Sequence, residues 1–116
     1  MFFATVRTEP SKRDAALLKK HADEAADVLA ILDTHLKDNL YVAGDEFTMG
    51  DIPLGSVAYR YFNVDAKRPD FPSLESWYAR LCERPAYQKH VMRFFGTNPD
   101  EWLALEIACA AEGEQA

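Results

Sequence analysis

Cysteine is scarce in this chain of 116 residues, and its histidines are scattered. The two cysteines, Cys82 and Cys109, can build neither a disulfide framework nor a thiolate metal site. His21, His35 and His90 are far apart in sequence, and no pair of them has ligand spacing with a nearby cysteine or carboxylate that would define a metal site. Cys82 falls in an apolar helical stripe, and we interpret it as a buried filler rather than a nucleophile.

Positive charge and long apolar runs are also in short supply. Lys and Arg total 13 against 19 Asp and Glu, and the net charge of −6 makes nucleic acid an unfavourable partner. The apolar runs are too short to cross a bilayer. The first residues, Met1 to Ala4, lack the basic region and apolar core of a signal peptide. These features predict a cytoplasmic protein that binds neither nucleic acid nor membranes.

Alternating strand patterns and internal repeats are absent too, and helical periodicity takes their place. A hydrophobic content of 48% is enough for one packed domain, and the fold class predicted is all-α. Residues 12 to about 38 are predicted to form a long amphipathic helix, with Ser11 as its N-cap. Its apolar face consists of Leu18, Ala22, Ala25, Leu29, Leu32 and Leu36, widened by Ala15, Ala26, Val28 and Ile31. The charged residues, Asp33 among them, are expected mostly to point away from this face.

Residues 47 to 52 carry two devices that start a helix. Thr48 is predicted as the N-cap, with Asp51 reaching back to its backbone N–H as the other half of a capping box. Phe47 and Ile52 have the spacing of a hydrophobic staple. A helix that needs both devices starts inside a domain, where no water satisfies its first N–H groups. The helix from about Met49 to Asn63 is therefore predicted to be central and buried, with a bend at Pro53.

Prolines mark the remaining helices. Pro72 is predicted to open a third helix, whose inner face carries Leu74, Trp77, Tyr78 and Leu81. Pro85 opens a short fourth helix, and a last helix is predicted from Asp100 to about Ala111. Residues 112 to 116 are expected to fray.

These segments resemble a known family. Residues 41 to 55 are similar to the stretch that opens the buried central helix in the C-terminal domain of glutathione transferases, and residues 59 to 62 and 68 to 87 continue the match. The resemblance covers residues 12 to 93 and implies a multi-helix bundle with a central helix starting at Thr48. It implies a domain over residues 1–93, in which 1–10 are the remnant of a truncated first helix. Residues 94–116 are then a C-terminal extension with one further helix.

The resemblance also implies a function for a longer parent protein. Family members have an N-terminal thioredoxin-like domain that holds glutathione and activates its thiol for attack on an electrophile. No such domain is visible here, so we expect a fragment or a truncated relative that is inactive alone and holds no cofactor. Glutathione would be the co-substrate of the intact parent, with a hydrophobic electrophile that the sequence does not identify. A homodimer is expected, because Phe2, Phe3 and Val6 have no obvious cover.

The family's acceptor-substrate pocket suggests two site residues and no catalytic one. Tyr59 and Arg60 match the region where bacterial relatives place a pocket-lining aromatic. Alternatively, Tyr59 is a core tyrosine and Arg60 belongs to an ion pair within the fold. The whole chain also has a second interpretation, a non-catalytic protein–protein interaction module like those of translation factors and synthetase assemblies. In that case Tyr41 and Trp102 would serve an interface.

Overall fold

The computed structural model describes residues 1–114 and is all-helical over that range. Six α-helices, α1 to α6, and one 3-10 turn at Pro10–Lys12 follow one another along the chain. The helices are α1 Phe2–Thr5, α2 Ala15–His35, α3 Asp51–Asn63, α4 Pro72–Cys82, α5 Pro85–His90 and α6 Pro99–Glu114. None of the described helices is long and apolar enough to cross a membrane. The all-α prediction is confirmed.

The long helix α2 starts later than the sequence predicts. Pro10 initiates the 3-10 turn, and Arg13 after it is extended, with ψ at 134°, so a helix cannot run through from Ser11. Asp14 is the N-cap, and its Oδ1 accepts from the N–H groups of Ala16 at 2.8 Å and Leu17 at 3.2 Å. The helix ends at His35 rather than 38.

The start of α3 also differs in detail. The chain first makes a tight turn, in which the N–H of Asp51 donates to Thr48 O at 3.1 Å and that of Ile52 to Met49 O at 3.4 Å. The α-helical hydrogen bonds then begin, with Gly50 as N-cap in place of the predicted Thr48. Pro53 is therefore only the third helical residue, where a missing N–H breaks no bond, and the reason for expecting a bend there disappears.

The other helix boundaries lie close to those predicted. Pro72 and Pro85 are the first residues of α4 and α5, as expected. The last helix, however, begins at Pro99 and continues through Glu114, past the predicted end at Ala111. Of the segment expected to fray, Gln115 and Ala116 lie outside the described residues.

The core is built around α4. Leu74, Trp77 and Leu81 are completely buried at successive turns of this helix, because steps of three and four residues keep them on one face. Helices α2, α3 and α5 contribute the surrounding side chains. The cluster consists of Leu29, Leu36, Ala58, Tyr61, Phe71, Leu74, Trp77, Leu81 and Tyr87.

The domain is a flat slab, and this flatness exposes apolar surface. Its extents are 43 × 42 × 16 Å, and its radius of gyration of 15.5 Å exceeds the value of about 13 Å for a compact domain of this length. Helix α3 is covered on one side only, since Ile52 and Val57 are 51% and 55% exposed. On α2, Val28 and Ile31 are 66% and 72% exposed rather than part of the buried face.

The first residues are partly covered, against expectation. Val6 is only 3% exposed, and Phe2 is half-buried because its ring meets that of Phe95 edge-on at 5.2 Å. Phe3 alone of the three remains open, at 68% exposed. The short helix α1 therefore folds back onto its own domain, and only one aromatic ring is left for solvent or a partner.

Candidate functional site: a pocket between α3 and α6

A cavity of about 580 Å³ lies where α6 passes over the C-terminal half of α3. Cavities that hold small molecules measure roughly 300–1,000 Å³, so this volume would admit an aromatic compound of a few rings. Helices α1, α3, α5 and α6 and the segment between α5 and α6 all supply lining residues.

One wall of the cavity is aromatic. The centre of the Phe95 ring lies 5.2 Å from that of Phe2 and 5.9 Å from that of Tyr59, and both contacts are edge-to-face. Edge-to-face contacts of this kind are favourable and hold the rings at fixed angles. Trp102 and Leu105 of α6 face the same cavity, so it has an apolar floor suited to a flat ligand.

Charged side chains also contribute to the lining of the cavity. Arg60, Lys89 and Arg93 line it against two acids, Glu106 and Glu112. Arg93 and Glu112 satisfy each other in an ion pair of 2.6 Å. The guanidinium of Arg60 instead stacks over Phe2 at 4.9 Å, and within residues 1–114 it has no hydrogen bond or ion pair. The predicted alternative of an internal ion pair for Arg60 therefore finds no partner in the described part of the chain.

Tyr59 is half-buried, and its hydroxyl is available to a ligand. Burial raises the pKa of Tyr59, and the nearby Cys82 adds to this effect, so the phenol keeps its proton at neutral pH. Its hydroxyl makes no hydrogen bond to any described residue. The neutral phenol can thus donate one hydrogen bond to a ligand, but it is not a thiolate-activating base.

Helix α6 is held over the cavity mainly by polar and stacking contacts. It begins after a turn at Gly96, whose φ of +78° favours glycine and where a Cβ would lie 2.8 Å from that of Glu101. Asn98 caps the helix by accepting the Glu101 N–H at 3.0 Å. Farther along, the guanidinium of Arg7 lies 4.2 Å from the centre of the Trp102 ring. No residue of α6 within the described range is fully buried.

Asp51 belongs to the core rather than to the cavity. Its Oδ2 accepts the N–H of Thr48 at 2.9 Å, and its Oδ1 accepts the N–H of Val42 at 3.0 Å and the indole of Trp77 at 2.8 Å. Burial by itself raises the pKa of this carboxyl, but the hydrogen bonds outweigh it and hold the pKa below the usual value. The Thr48 hydroxyl accepts from Gly50 N at 3.3 Å and not from Asp51 N, so the reciprocal half of the expected box is rearranged.

The predicted staple partners have different environments. Phe47 packs against the core, on the edge of the Tyr41 ring and under the guanidinium of Arg84, which lies 3.6 Å from its centre. Ile52 is 51% exposed and lies outside the core cluster. The staple therefore stays a prediction.

The two residues suggested by the sequence both line the cavity, but most of its wall was not predicted. Phe2, Phe95 and Trp102 were not proposed as site residues. Phe2 and Phe95 are separated by most of the chain, and only the path of α6 brings Trp102 over them. The pair Phe94-Phe95 just before Gly96 is the one local signal, an aromatic pair at a helix break.

Comparison with known proteins identifies the family to which this helical architecture belongs. Residues 1–85 match the family model described as the glutathione S-transferase C-terminal domain. The chain belongs to this family. It is 40% identical over 87 residues to the glutathione S-transferase GstB of Escherichia coli, a match that covers 75% of this chain and 42% of that protein. It is 37% identical over 82 residues to glutathione S-transferase 3 of Zea mays, covering 67% and 36%.

A solved structure agrees with the sequence comparison. The theta class glutathione S-transferase of the citrus canker pathogen Xanthomonas axonopodis pv. citri superposes with a TM-score of 0.78 at 42% identity, over 82% of this chain and 50% of that one. The same enzyme with glutathione bound gives the same values. The chain thus spans about half the length of the glutathione transferases that it matches. The family assignment and the all-α fold of the C-terminal domain are confirmed.

Proposed function

We propose that this chain is the acceptor-substrate and dimerisation half of a glutathione transferase-like protein whose intact form conjugates glutathione to electrophiles. The observation that carries the proposal is the cavity between α3 and α6, with its aromatic wall and with Tyr59 and Arg60 on one side. Its apolar surface suits the electrophile, whereas glutathione itself is a charged tripeptide that needs many polar contacts. The chain then supplies a binding pocket and no catalytic residue.

A thioredoxin-like domain is the partner that the proposal requires. The glutathione-bound relative from Xanthomonas is twice as long as the matched region, and glutathione is proposed here to bind the half that this chain does not cover. The open side of α3 offers apolar side chains for such a domain. They are Ile52, Leu54 and Val57, together with Met49 in the turn just before the helix. Covering a large aliphatic side chain contributes about 1.5–3 kcal/mol, so leaving four of them in water is costly.

A homodimer is proposed through α2 and the end of α1. The side chains of Val28 and Ile31 on α2 and of Phe3 on α1 are exposed to solvent. The alanine-rich flank of α2 lies about half a turn away from Val28 and Ile31, and Ala26 packs against the core, so the proposed interface uses the exposed large side chains alone. A two-fold interface is the simplest arrangement. Sedimentation at several concentrations tests this proposal: a species that stays at 13.1 kDa up to high micromolar concentration would rule the dimer out.

A fusion protein tests whether the acceptor binds this chain while glutathione binds the other half of the intact protein. The N-terminal half of the Xanthomonas enzyme is joined ahead of Met1, and glutathione binding is measured by calorimetry for the fusion and for this chain alone. We expect binding only in the fusion, together with conjugation of glutathione to a chlorodinitrobenzene. A Kd below about 1 mM for the chain alone would place the glutathione site in this half and overturn the proposal.

The interaction-module alternative predicts a different outcome. A well-folded fusion that binds glutathione but conjugates no electrophile would favour a non-catalytic role for this half. The open apolar side of α3 would then serve a protein partner. Sequencing upstream of Met1 distinguishes the two as well, since the enzyme requires a thioredoxin-like domain there.

A further inference from the structure

The charge around the cavity is opposite in sign to that of the chain. Lys and Arg outnumber acids among the lining residues, although the chain as a whole has 13 basic and 19 acidic residues and a net charge of −6. Because Arg93 is paired with Glu112, the Lys and Arg side chains left in the cavity lining are Arg60 and Lys89, against the one acid Glu106. A concave surface with excess positive charge attracts anions from a distance, even on an acidic protein.

Arg60 is the cation best placed to bind such an anion. Its guanidinium stacks on Phe2 at 4.9 Å, which orients the plane of the group along the aromatic wall. The other arginines that donate hydrogen bonds reach protein acceptors: Arg13, Arg68 and Arg80 bind backbone carbonyls, and Arg93 binds Glu112. Within residues 1–114, the five N–H groups of Arg60 meet no acceptor and remain available.

Resting on the proposed function, we infer that Arg60 is the specificity-determining residue of the cavity and selects aromatic ligands that carry one acidic group. The ring of the ligand lies against Phe95 and Tyr59, and its carboxylate or sulfonate accepts from the Arg60 guanidinium. Arginine binds planar oxyanions with two parallel hydrogen bonds, which fixes the orientation of the attached ring as well. A ring without the acidic group still packs on the wall but loses these bonds.

Two dyes that differ only in one group test this inference on the chain itself. Anilinonaphthalene sulfonate and phenylnaphthylamine share the same ring system, and only the first carries the sulfonate. Fluorescence titration of the 116-residue chain gives both dissociation constants. We expect the sulfonate to bind at least about fivefold more tightly, the effect of a charge-assisted hydrogen bond at a partly exposed site.

Three variants identify the source of the preference. Arg60→Gln should abolish it, while phenylnaphthylamine binds as before. Arg60→Lys should keep part of it. Lys67→Gln is the matched control, because it removes the same charge from an exposed residue that does not line the cavity and should leave the preference intact. Thermal unfolding of each variant verifies that the fold is unchanged.

A fourth variant shows where the dyes bind. Ala108→Trp on exposed α6 fills the cavity without changing charge, and we expect it to weaken both dyes about tenfold or more. The inference would be overturned if the wild-type chain bound the two dyes with equal affinity, or if Arg60→Gln kept the preference for the sulfonate. Either result would still be compatible with a binding pocket between α3 and α6. Failure of both dyes to bind the cavity would instead contradict the proposed function.

Discussion

The indole Nε1 of Trp77 donates a 2.8 Å hydrogen bond to Oδ1 of Asp51, and both side chains are completely buried. The same carboxylate accepts the backbone N–H groups of Val42 and Thr48. It therefore joins the centre of α4, the loop after α2 and the turn before α3 at one point. A buried carboxylate without a cation is tolerable only when donors satisfy it in this way.

Asp51→Ala is expected to destabilise the chain by about 1–3 kcal/mol, because it leaves the buried indole N–H of Trp77 without an acceptor and removes the acceptor of two partly buried backbone N–H groups. Urea unfolding gives the change in free energy. Asp38→Ala is the control, since Asp38 is exposed and makes no hydrogen bond to the described residues, and it should change stability by less than about 0.5 kcal/mol. An unchanged midpoint for Asp51→Ala would show that this carboxylate is not what holds the three segments together.

The same carboxylate makes stability depend on acid pH. The pKa of Asp51 is lower in the folded chain than its ordinary value of 3.8, so the folded state binds its proton less readily than the unfolded state. Its contribution is complete above about pH 4 and is lost as pH falls through the folded pKa. Asp51→Asn lacks this titration, and its unfolding free energy should fall less than that of the wild type between about pH 5 and pH 3. Parallel curves for the two proteins would contradict the lowered pKa.

Asp33 of α2 caps α4 from a distance. Its Oδ1 accepts the N–H groups of Ser73 and Leu74 at 2.9 Å each, and the residue is 8% exposed. Because Phe71 at the N-cap of α4 supplies no side-chain acceptor, Asp33→Ala should cost about 1–2 kcal/mol. Asp27→Ala on the exposed side of the same helix is the matched control and should be close to neutral. Equal effects of the two substitutions in thermal unfolding would argue against the cap.

Gly55→Ala is expected to destabilise the chain although alanine favours helices. A Cβ at Gly55 would lie 2.9 Å from Leu81 Cδ1 and 3.1 Å from Tyr87 Cε2, both in the core. Tyr87 is fixed there by a 2.7 Å hydrogen bond from its hydroxyl to Gly55 O, so the loss should be about 1–3 kcal/mol. Gly113→Ala, with nothing within 4 Å, serves as the control and should be neutral or slightly stabilising in the same unfolding assay. A stabilised Gly55→Ala variant would mean that α3 does not pack this closely.

Local sequence signals located the elements of this fold well. The periodic apolar face of α4 and the prolines at the starts of α4 and α5 correspond directly to the structure, since both act within a few residues. The predicted start of α2 is too early, because the sequence offers both Ser11 and Asp14 as N-caps. The extended backbone of Arg13 interrupts any helix that starts at Ser11, so Asp14 is the N-cap. Periodicity also fails to predict the buried position of Asp33, because the N–H groups that it accepts lie 40 and 41 residues away along the chain.

The site could be predicted only in part for a similar reason. Tyr59 and Arg60 were found through a family resemblance on α3, a continuous stretch of sequence. The rest of the lining includes Phe2 at one end of the chain and Phe95 and Trp102 near the other, and no local pattern of sequence brings these residues together. The apolar pattern of α3 also predicts a central, buried helix, whereas Ile52 and Val57 are more than half exposed. Apolar periodicity shows which side chains of a helix can be buried together, but it does not show whether another part of the same chain packs over them.

Steady-state kinetics of the fusion with and without Ala108→Trp tests the central claim most directly, because Ala108 lines the cavity between α3 and α6 and a tryptophan there reduces its volume without changing the charge. If this half holds the acceptor, KM for the chlorodinitrobenzene should rise about tenfold or more, while KM for glutathione stays within about twofold of the unsubstituted fusion. Unchanged kinetics for the acceptor, or a rise in KM for glutathione alone, would contradict the assignment of the acceptor pocket to this chain.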